Sequence, residues 1–385
     1  MPAILRFVVL IGVVSLFADM TYEGARGITG PYLATLGASA TVVGLVAGSG
    51  ELIGYAIRLV SGYLADRTGR YWAITLCGYC INLLVVPMLA LAGNWHMAAF
   101  LIVMERAGKA IRTPSRDAML SHAVRKMGSG WGFGLHEALD QTGAMTGPLI
   151  VAAVLYFGGT YRTGFAILVV PALLAITVLV IARSLYPDPR ELETAPPRLE
   201  TKGFARSYWI YLAGACCVGA GYADFPIIAF HFEKLRVVPE PWIPVFYAVA
   251  MGADGLSALV FGHYFDRHGI PVLAISAAIA SLFAPLVVLG GFFAALLGVV
   301  LWGIGMGAQE SIMRAAIAEM TPIDRRGTAY GIFNTGFGLA WFLGSAVMGM
   351  IYDWSVAAVI VFSVCLQVAA IPLFWMLARA GRRAA

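Results

Sequence analysis

The fold class predicted by the 385-residue sequence is all-α and membrane-embedded, with twelve transmembrane helices in two six-helix bundles. Three observations predict it. Sixty per cent of the residues are hydrophobic and only 12% are charged, about half the charged share of a soluble domain and too little to coat a water-facing surface. Apolar stretches of about 20 residues, the length that crosses a bilayer core, recur along the whole chain. A segment beginning at Gly62 returns at Gly262, which marks an internal duplication.

Taken in order, the apolar stretches centre near Ser15, Gly50, Cys80, Lys109, Gly143, Pro171, Gly219, Asp254, Ala280, Gly307, Leu339 and Leu366. The first begins behind Arg6 and runs to Ala18, as a secretory signal would. Asp19 interrupts it and no small-residue cleavage site follows, so it is expected to stay as the first helix.

Basic residues alternate by connection. The even-numbered connections carry Arg67 and Arg70, then Arg125 and Lys126, then Arg183, Arg190, Arg198, Lys202 and Arg206, then Arg267, then Arg325 and Arg326; the tail adds Arg379, Arg382 and Arg383. The odd-numbered ones show only Arg162, Lys234 and Arg236. The positive-inside rule then places both termini and the long middle connection in the cytoplasm. The net charge of +5 is thus used for orientation, and no nucleic-acid partner is expected. Cys77, Cys80, Cys216, Cys217 and Cys365 all fall inside spans, where cysteine behaves as a small apolar residue. The Cys77-x-x-Cys80 pair lacks a second ligand pair or a soluble redox setting, so no metal and no cofactor is expected.

The repeated segment reads Gly62-Tyr-Leu-Ala-Asp66-Arg67-Thr-Gly69-Arg70 and Gly262-His-Tyr-Phe-Asp266-Arg267-His-Gly269, 200 residues apart. About sixty residues after each copy, a basic connection leads into Trp131-Gly132-Phe133-Gly134 and Tyr330-Gly331-Ile332-Phe333. Residues 1–184 and 206–385 therefore form two bundles repeated in the same orientation. Between them, 185–205 holds Pro187, Pro189, Pro196 and Pro197 among seven charged residues, too polar to cross a membrane. It is expected to be a cytoplasmic linker.

Gly62-x-x-x-Asp66-Arg67-x-Gly69-Arg70 resembles the signature between the second and third helices of the major facilitator superfamily, and the second copy stands where that family repeats it. The likeness covers essentially the whole chain. It implies a cytoplasmic interdomain gate built from Gly62, Asp66, Arg67, Gly69 and Arg70, with Asp266 and Arg267 as counterpart. Ile270 replaces the last arginine in the second copy, so that side of the gate is expected to be less charged.

Ionisable side chains at bilayer depth are costly unless they face a partner or water. The first span carries Asp19, Glu23 and Arg26; the second, Glu51 and Arg58; the fourth, Glu105, Arg106, Lys109, Arg112, Arg116 and Asp117. The fifth has His136, Glu137 and Asp140, the seventh Asp224, the eighth Asp254 and the tenth Glu310 and Arg314. The central parts of the third, sixth, ninth and twelfth have none, which agrees with the outer, lipid-facing place that the resemblance implies for them. Asp19, Glu23 and Arg26 are spaced i, i+4, i+7, as are Glu51, Tyr55 and Arg58, so each trio shares a helix face. Glu105, Lys109, Arg112 and Arg116 share another, with Glu105 and Lys109 spaced for pairing. Such residues are either structural pairs or a site for solute and protons; a bundle needing only structure could use apolar side chains more cheaply.

The run Glu105 to Asp117 resembles a helix-four signature of one bacterial branch of the superfamily. Its clustered cations point to an anionic or zwitterionic solute, since Lys and Arg donate directly to carboxylate or phosphate. Gly143-Ala-Met-Thr-Gly147-Pro148 partly resembles the antiporter signature of exporters, although Leu149, Ile150, Val151 and Ala152 stand where further glycines would follow; close helix packing also uses small residues. His136-Glu137-Ala-Leu-Asp140 is one residue from the zinc-hydrolase pattern H-E-x-x-H, but no third ligand motif accompanies it, so an intramembrane metal-dependent hydrolase is a remote alternative. Forty-four glycines, many on the second, fifth, tenth and eleventh spans, suit helices that approach closely and slide.

No phosphate-cradling loop or soluble ATPase segment is present, so the chain is expected to be a secondary transporter, not an enzyme, acting as a monomer by alternating access. The expected reaction is proton-coupled export of a small organic solute by antiport, with uptake by symport as the alternative. Candidate solute-binding residues are Arg26, Tyr55, Arg58, Glu105, Lys109, Arg112, Asp224, Asp254, Glu310 and Arg314. Candidate proton carriers are Asp19, Glu23, Glu51, His136, Glu137 and Asp140.

Overall fold

The structure is a computed structural model describing residues 3–125, 129–187, 204–321 and 326–384. The side chains of Glu51, Tyr55, Leu59, Asp66, Arg314, Ala318, Glu319 and of residues 3–4, 121–137, 326–328 and 380–384 lie outside the description. Most of the linker, with Arg190, Arg198 and Lys202, lies outside the described residues, as do Lys126 and Arg325.

Among the described residues, twelve helical segments follow one another: α1 Ala3–Thr35, α2 Ala40–Thr68, α3 Tyr71–Leu91, α4 Trp95–Arg125, α5 Ser129–Tyr156 and α6 Tyr161–Leu185, then α7 Arg206–Leu235, α8 Trp242–His268, α9 Pro271–Leu289, α10 Phe292–Met320, α11 Arg326–Trp354 and α12 Val356–Ala384. Each predicted centre falls inside one of them. Eleven are long and apolar enough to cross a membrane; α4 has the length but carries too many charges to qualify on composition. Described residues include no β-strand.

Two compact units result. The first comprises Met1–Gly37, Ser49–Ala195 and Glu240–Ala248. Its helices meet at small residues: an added methyl group at Gly143 would collide with the Leu16 carbonyl, and one at Gly147 with the Met20 carbonyl, so α5 lies directly on the backbone of α1. Helix ends are closed by side chains. Tyr32 Oη donates to the carbonyls of Leu89 and Ala92, at 2.9 Å each, where α3 ends in a 3₁₀ turn. Thr160 caps α6 through a reciprocal bond pattern with Thr163. Ile243, Phe246 and Tyr247, at the start of α8, are fully buried, and Tyr247 packs against Gly27 of α1.

The second unit comprises Ala38–Gly48, Pro196–Pro239 and Val249–Ala385. Here the N-terminus of α2 is capped from α11: Asp353 accepts from Ala40 N at 3.2 Å, Thr41 N at 3.0 Å and Thr41 Oγ1 at 2.6 Å. A carboxylate in that position satisfies otherwise orphaned amides and complements the helix dipole. Helix α7 is interrupted at Tyr222–Asp224, where the backbone is extended, and Pro226 starts its second part. Inside hydrocarbon the freed backbone groups need protein partners. They have them: Trp302 Nε1 donates to Ala223 O at 2.8 Å, Ser363 Oγ to Gly221 O at 2.6 Å and Gln367 Nε2 to Val218 O at 3.2 Å.

The repeated signature has a backbone explanation. Gly69 and Gly269 take positive φ, 62° and 66°, in the left-handed region that glycine enters without steric cost, and each turns one helix directly into the next. A side-chain carbon added at Gly62 would lie 3.5 Å from Pro114, Arg67 Nη1 reaches the Tyr63 hydroxyl at 3.4 Å, and Arg67, Arg70, Asp266 and Arg267 are exposed. Asp66 has no described side chain.

Gly147→Ala is expected to destabilise the protein by about 1–3 kcal/mol, the cost of overpacking, read as a lowered midpoint in a thermal size-exclusion assay in detergent. Gly54→Ala, with nothing within 4 Å of the added carbon, is expected to leave the midpoint unchanged.

Candidate functional site

The densest cluster of charge lies in the first unit, where α4 meets α1 and α3. Gly78 of α3 and Gly108 of α4 allow the two backbones to touch, which sets Arg112 against Gly78 and Asn82 against Gly108. Asn82 Nδ2 donates to Glu105 at both its carbonyl, 3.1 Å, and its Oε1, 2.7 Å, and Arg106 Nε lies 3.3 Å from Glu105 Oε2. Glu105 is therefore fully engaged. The Glu105–Lys109 pairing expected from their spacing is replaced by a longer-range one, because Asn82 and Arg106 satisfy the carboxylate and Lys109 turns to α1.

Lys109 Nζ lies 3.8 Å from Glu23 Oε1 and 3.9 Å from the centre of the Tyr22 ring. The other oxygen of Glu23 accepts a short hydrogen bond from Tyr247. Arg26 and Arg106 also act on this carboxylate electrostatically. Glu23 is thus the hub at which α1, α4 and the start of α8 meet. Lys109 keeps 24% of its side chain exposed, against 9% for Glu23, so the cation is the accessible member of the pair.

One turn further on, Arg112 is only 1% exposed. Its guanidinium carbon stands 4.2 Å from the centre of the Tyr79 ring and 5.6 Å from that of Tyr22, geometry in which aromatic faces stabilise a desolvated cation. Its Nε and Nη1, Tyr79 Oη, Ser115 Oγ and Asp19 Oδ1 have no hydrogen-bond partner among the described residues. Asp19 is buried beside Tyr22, within electrostatic reach of Asp140, Lys109 and Arg112. Arg116 is set apart by its own partners, Asp117 at 2.8 Å and Ser15 Oγ at 3.3 Å. The cations of α4 are therefore divided: Lys109 and Arg116 reach α1, Arg112 stands between Tyr79 of α3 and Tyr22 of α1, and Arg106 pairs with Glu105 on α4 itself.

The remaining candidates are dispersed. Arg58 and Asp140 are half-buried in the first unit, and the side chains of Glu51, Tyr55, His136 and Glu137 lie outside the described residues. Asp224, Asp254 and Glu310 belong to the second unit. Asp224, 1% exposed, takes the N-cap position of the second part of α7; Asp254 is 3% exposed and Glu310 is exposed. Asp254 and Glu310 both act electrostatically on Tyr222, whose hydroxyl makes a short bond to the Trp302 carbonyl. The Arg314 side chain is not described. Among the described residues no three His, Cys, Asp or Glu side chains come together as a metal site, and all five cysteines are free thiols.

Sequence reasoning had not singled out Tyr22, Tyr79, Asn82 or Tyr247. A signal existed for one of them: Tyr22 recurs as Tyr222 at the repeat displacement of 200. Tyr247 carried none, since its partner lies 224 residues away.

Comparison with known proteins agrees with this architecture. The profile of the Major Facilitator Superfamily matches residues 10–267 and 241–385. An uncharacterized protein of Mycobacterium tuberculosis (strain H37Rv) is 39% identical over 377 residues, covering 96% of this chain and 92% of the relative. An uncharacterized MFS-type transporter of Methanocaldococcus jannaschii is 26% identical over 367 residues, covering 92% and 90%. Among solved structures, a peptide transporter POT superposes with a TM-score of 0.78 at 15% identity, over 98% of this chain and 94% of that one. The nucleoside transporter NupG superposes with a TM-score of 0.70 at 15% identity, over 97% and 98%. These structural likenesses concern the fold. Helix order, the duplicated signature and the profile match together make this chain an integral membrane secondary transporter that belongs to the Major Facilitator Superfamily.

Proposed function

We propose that the protein carries a small anionic or zwitterionic organic solute by alternating access, coupled to protons through Glu23 and Lys109. The observation carrying this reading is the Lys109–Glu23 pair: an accessible ammonium held by a buried carboxylate that has a second partner in Tyr247. A solute carboxylate or phosphate arriving at Lys109 competes with Glu23 for the same charge. A carboxylate that loses a cationic partner in a low-dielectric site holds a proton more readily, so solute and proton load together. Arg112, behind Lys109 between two tyrosine rings, reinforces the positive field with guanidinium N–H groups that have no internal acceptor among the described residues. Asp19, beside it, offers a counter-charge for the amino group of a zwitterion.

Joint loading favours symport, and with an inward proton gradient that means uptake. Export by antiport, the direction expected from Gly143–Pro148, is the second reading. Its sequence support is weakened because Gly143 and Gly147 are accounted for by the packing of α5 on α1. In this reading the chain sits in a bacterial inner membrane with both termini cytoplasmic and works as a monomer. Asp66, Arg67 and Arg70 in the first unit, and Asp266 and Arg267 in the second, are each gating residues at the cytoplasmic end of their own unit.

The direct test is flux in proteoliposomes containing a lumenal pH dye. Organic acids, amino acids and sugar phosphates would first be screened by thermal shift. External solute is expected to acidify the lumen as it enters; alkalinisation on entry would establish antiport, and flux of cationic drugs alone would overturn the solute class. Lys109→Ala is expected to raise KM at least tenfold or abolish flux. Glu23→Gln is expected to keep solute counterflow while losing accumulation driven by a pH gradient; full retention of that accumulation would remove Glu23 from the coupling. The Glu23–Tyr247 bond is tested separately: Glu23→Gln and Tyr247→Phe are expected to be non-additive by about 0.5–3 kcal/mol in a double-mutant cycle read by unfolding midpoints.

A further inference from the structure

A second site lies in the other unit, away from the charge cluster. Between the end of α8 and the start of α9 is an open groove of about 630 Å³. Its lining divides sharply. Val260, Phe261, Val272 and Ile275 form an apolar wall, and Arg267 and His268 close one end. Span α8 ends at His268 and span α9 begins at Pro271, so the charged end stands at a membrane surface. Val260, seven residues earlier on α8, lies about 10 Å deeper at 1.5 Å per residue. The groove is thus polar at headgroup level and apolar at acyl-chain level.

From this we infer that the groove is a binding site for an anionic phospholipid, its phosphate against Arg267 and His268 and an acyl chain along Val260 and Ile275. Charge complementarity selects this occupant: the lining holds a guanidinium and an imidazole but no carboxylate, so it suits a net negative headgroup better than one bearing an ammonium. Val260 and Ile275 leave the wall open, 45% and 52% exposed, with Val272 buried behind them, a surface that suits a chain-like ligand. The polar end is shaped in advance. His268 Nδ1 lies 3.1 Å from the Tyr264 carbonyl and its ring stacks on that of Tyr264, with centres 5.9 Å apart. With Nδ1 donating to that carbonyl, the donor the ring can offer a phosphate is Nε2–H of the imidazolium. Gly269, at φ 66°, makes the tight turn that brings Pro271, Val272 and Ile275 back alongside α8. The inference stands on these residues alone and does not depend on the proposed solute or coupling.

Native mass spectrometry of the full-length protein, delipidated in detergent and titrated with phosphatidylglycerol or phosphatidylcholine of identical chains, tests it. Wild-type protein is expected to retain phosphatidylglycerol at least about fivefold better, the preference that a basic residue near a membrane surface confers. Arg267→Ala/His268→Ala is expected to abolish that preference while keeping the thermal midpoint, and Ile275→Asn to weaken both lipids. Arg379→Ala, which removes an exposed cation elsewhere, is expected to change nothing. Equal retention of the two lipids by wild type, or a preference that survives the double substitution, would overturn the site. Equal loss in Arg379→Ala would reduce the effect to overall charge and overturn it as well.

Discussion

Inside a bilayer there is no water to accept or donate a hydrogen bond, and most of this structure follows from that one restriction. It explains why the break in α7 is surrounded by Trp302, Ser363 and Gln367, each of which donates to a carbonyl that a continuous helix would have used. It also explains why charges occur in groups. Glu105 has Asn82 and Arg106, Glu23 has Lys109 and Tyr247, and Arg112 has two aromatic faces. Each group stabilises what it could not tolerate singly.

Within the first unit, Glu23 joins structure to mechanism. It is bound from α4 by a cation that is partly accessible, and from the start of α8 by a tyrosine that is fully buried. A carboxylate whose partners differ this much in accessibility can exchange one and keep the other. Under the proposed function, that asymmetry would let Lys109 meet the solute while Glu23 takes the proton.

Much of the architecture was legible before any coordinates, because hydrophobic length and duplication are properties of the chain itself. All twelve centres fall in helices, α4 included, although its charges mask it from a purely hydropathic criterion. The glycines of the repeated signature were legible as a pattern, and their cause, the positive φ of Gly69 and Gly269, became visible only in the backbone. The charge cluster was legible in part. Helical spacing put Asp19 and Glu23 on one face of α1, and the structure brings both within reach of Lys109; it paired Glu105 with Lys109 because spacing sees only one helix at a time. Asn82, Tyr79 and Tyr247 come from other helices, and nothing local in their sequence distinguishes them from ordinary packing residues. Gly143 and Gly147 belong to a pattern that resembles a functional signature, and the structure shows the helix contact that the same small residues make.

The membership of the two units has a further consequence. Ala38–Gly48 is grouped with the second and Glu240–Ala248 with the first, an exchange at nearly the same displacement that relates the two copies of the signature. Each half of the polypeptide thus lends a short segment to the other unit. A truncation ending at the linker would leave Thr41 without the carboxylate that caps it and Glu23 without its phenol, so each of the duplicated halves, alike in pattern, completes a contact in the other.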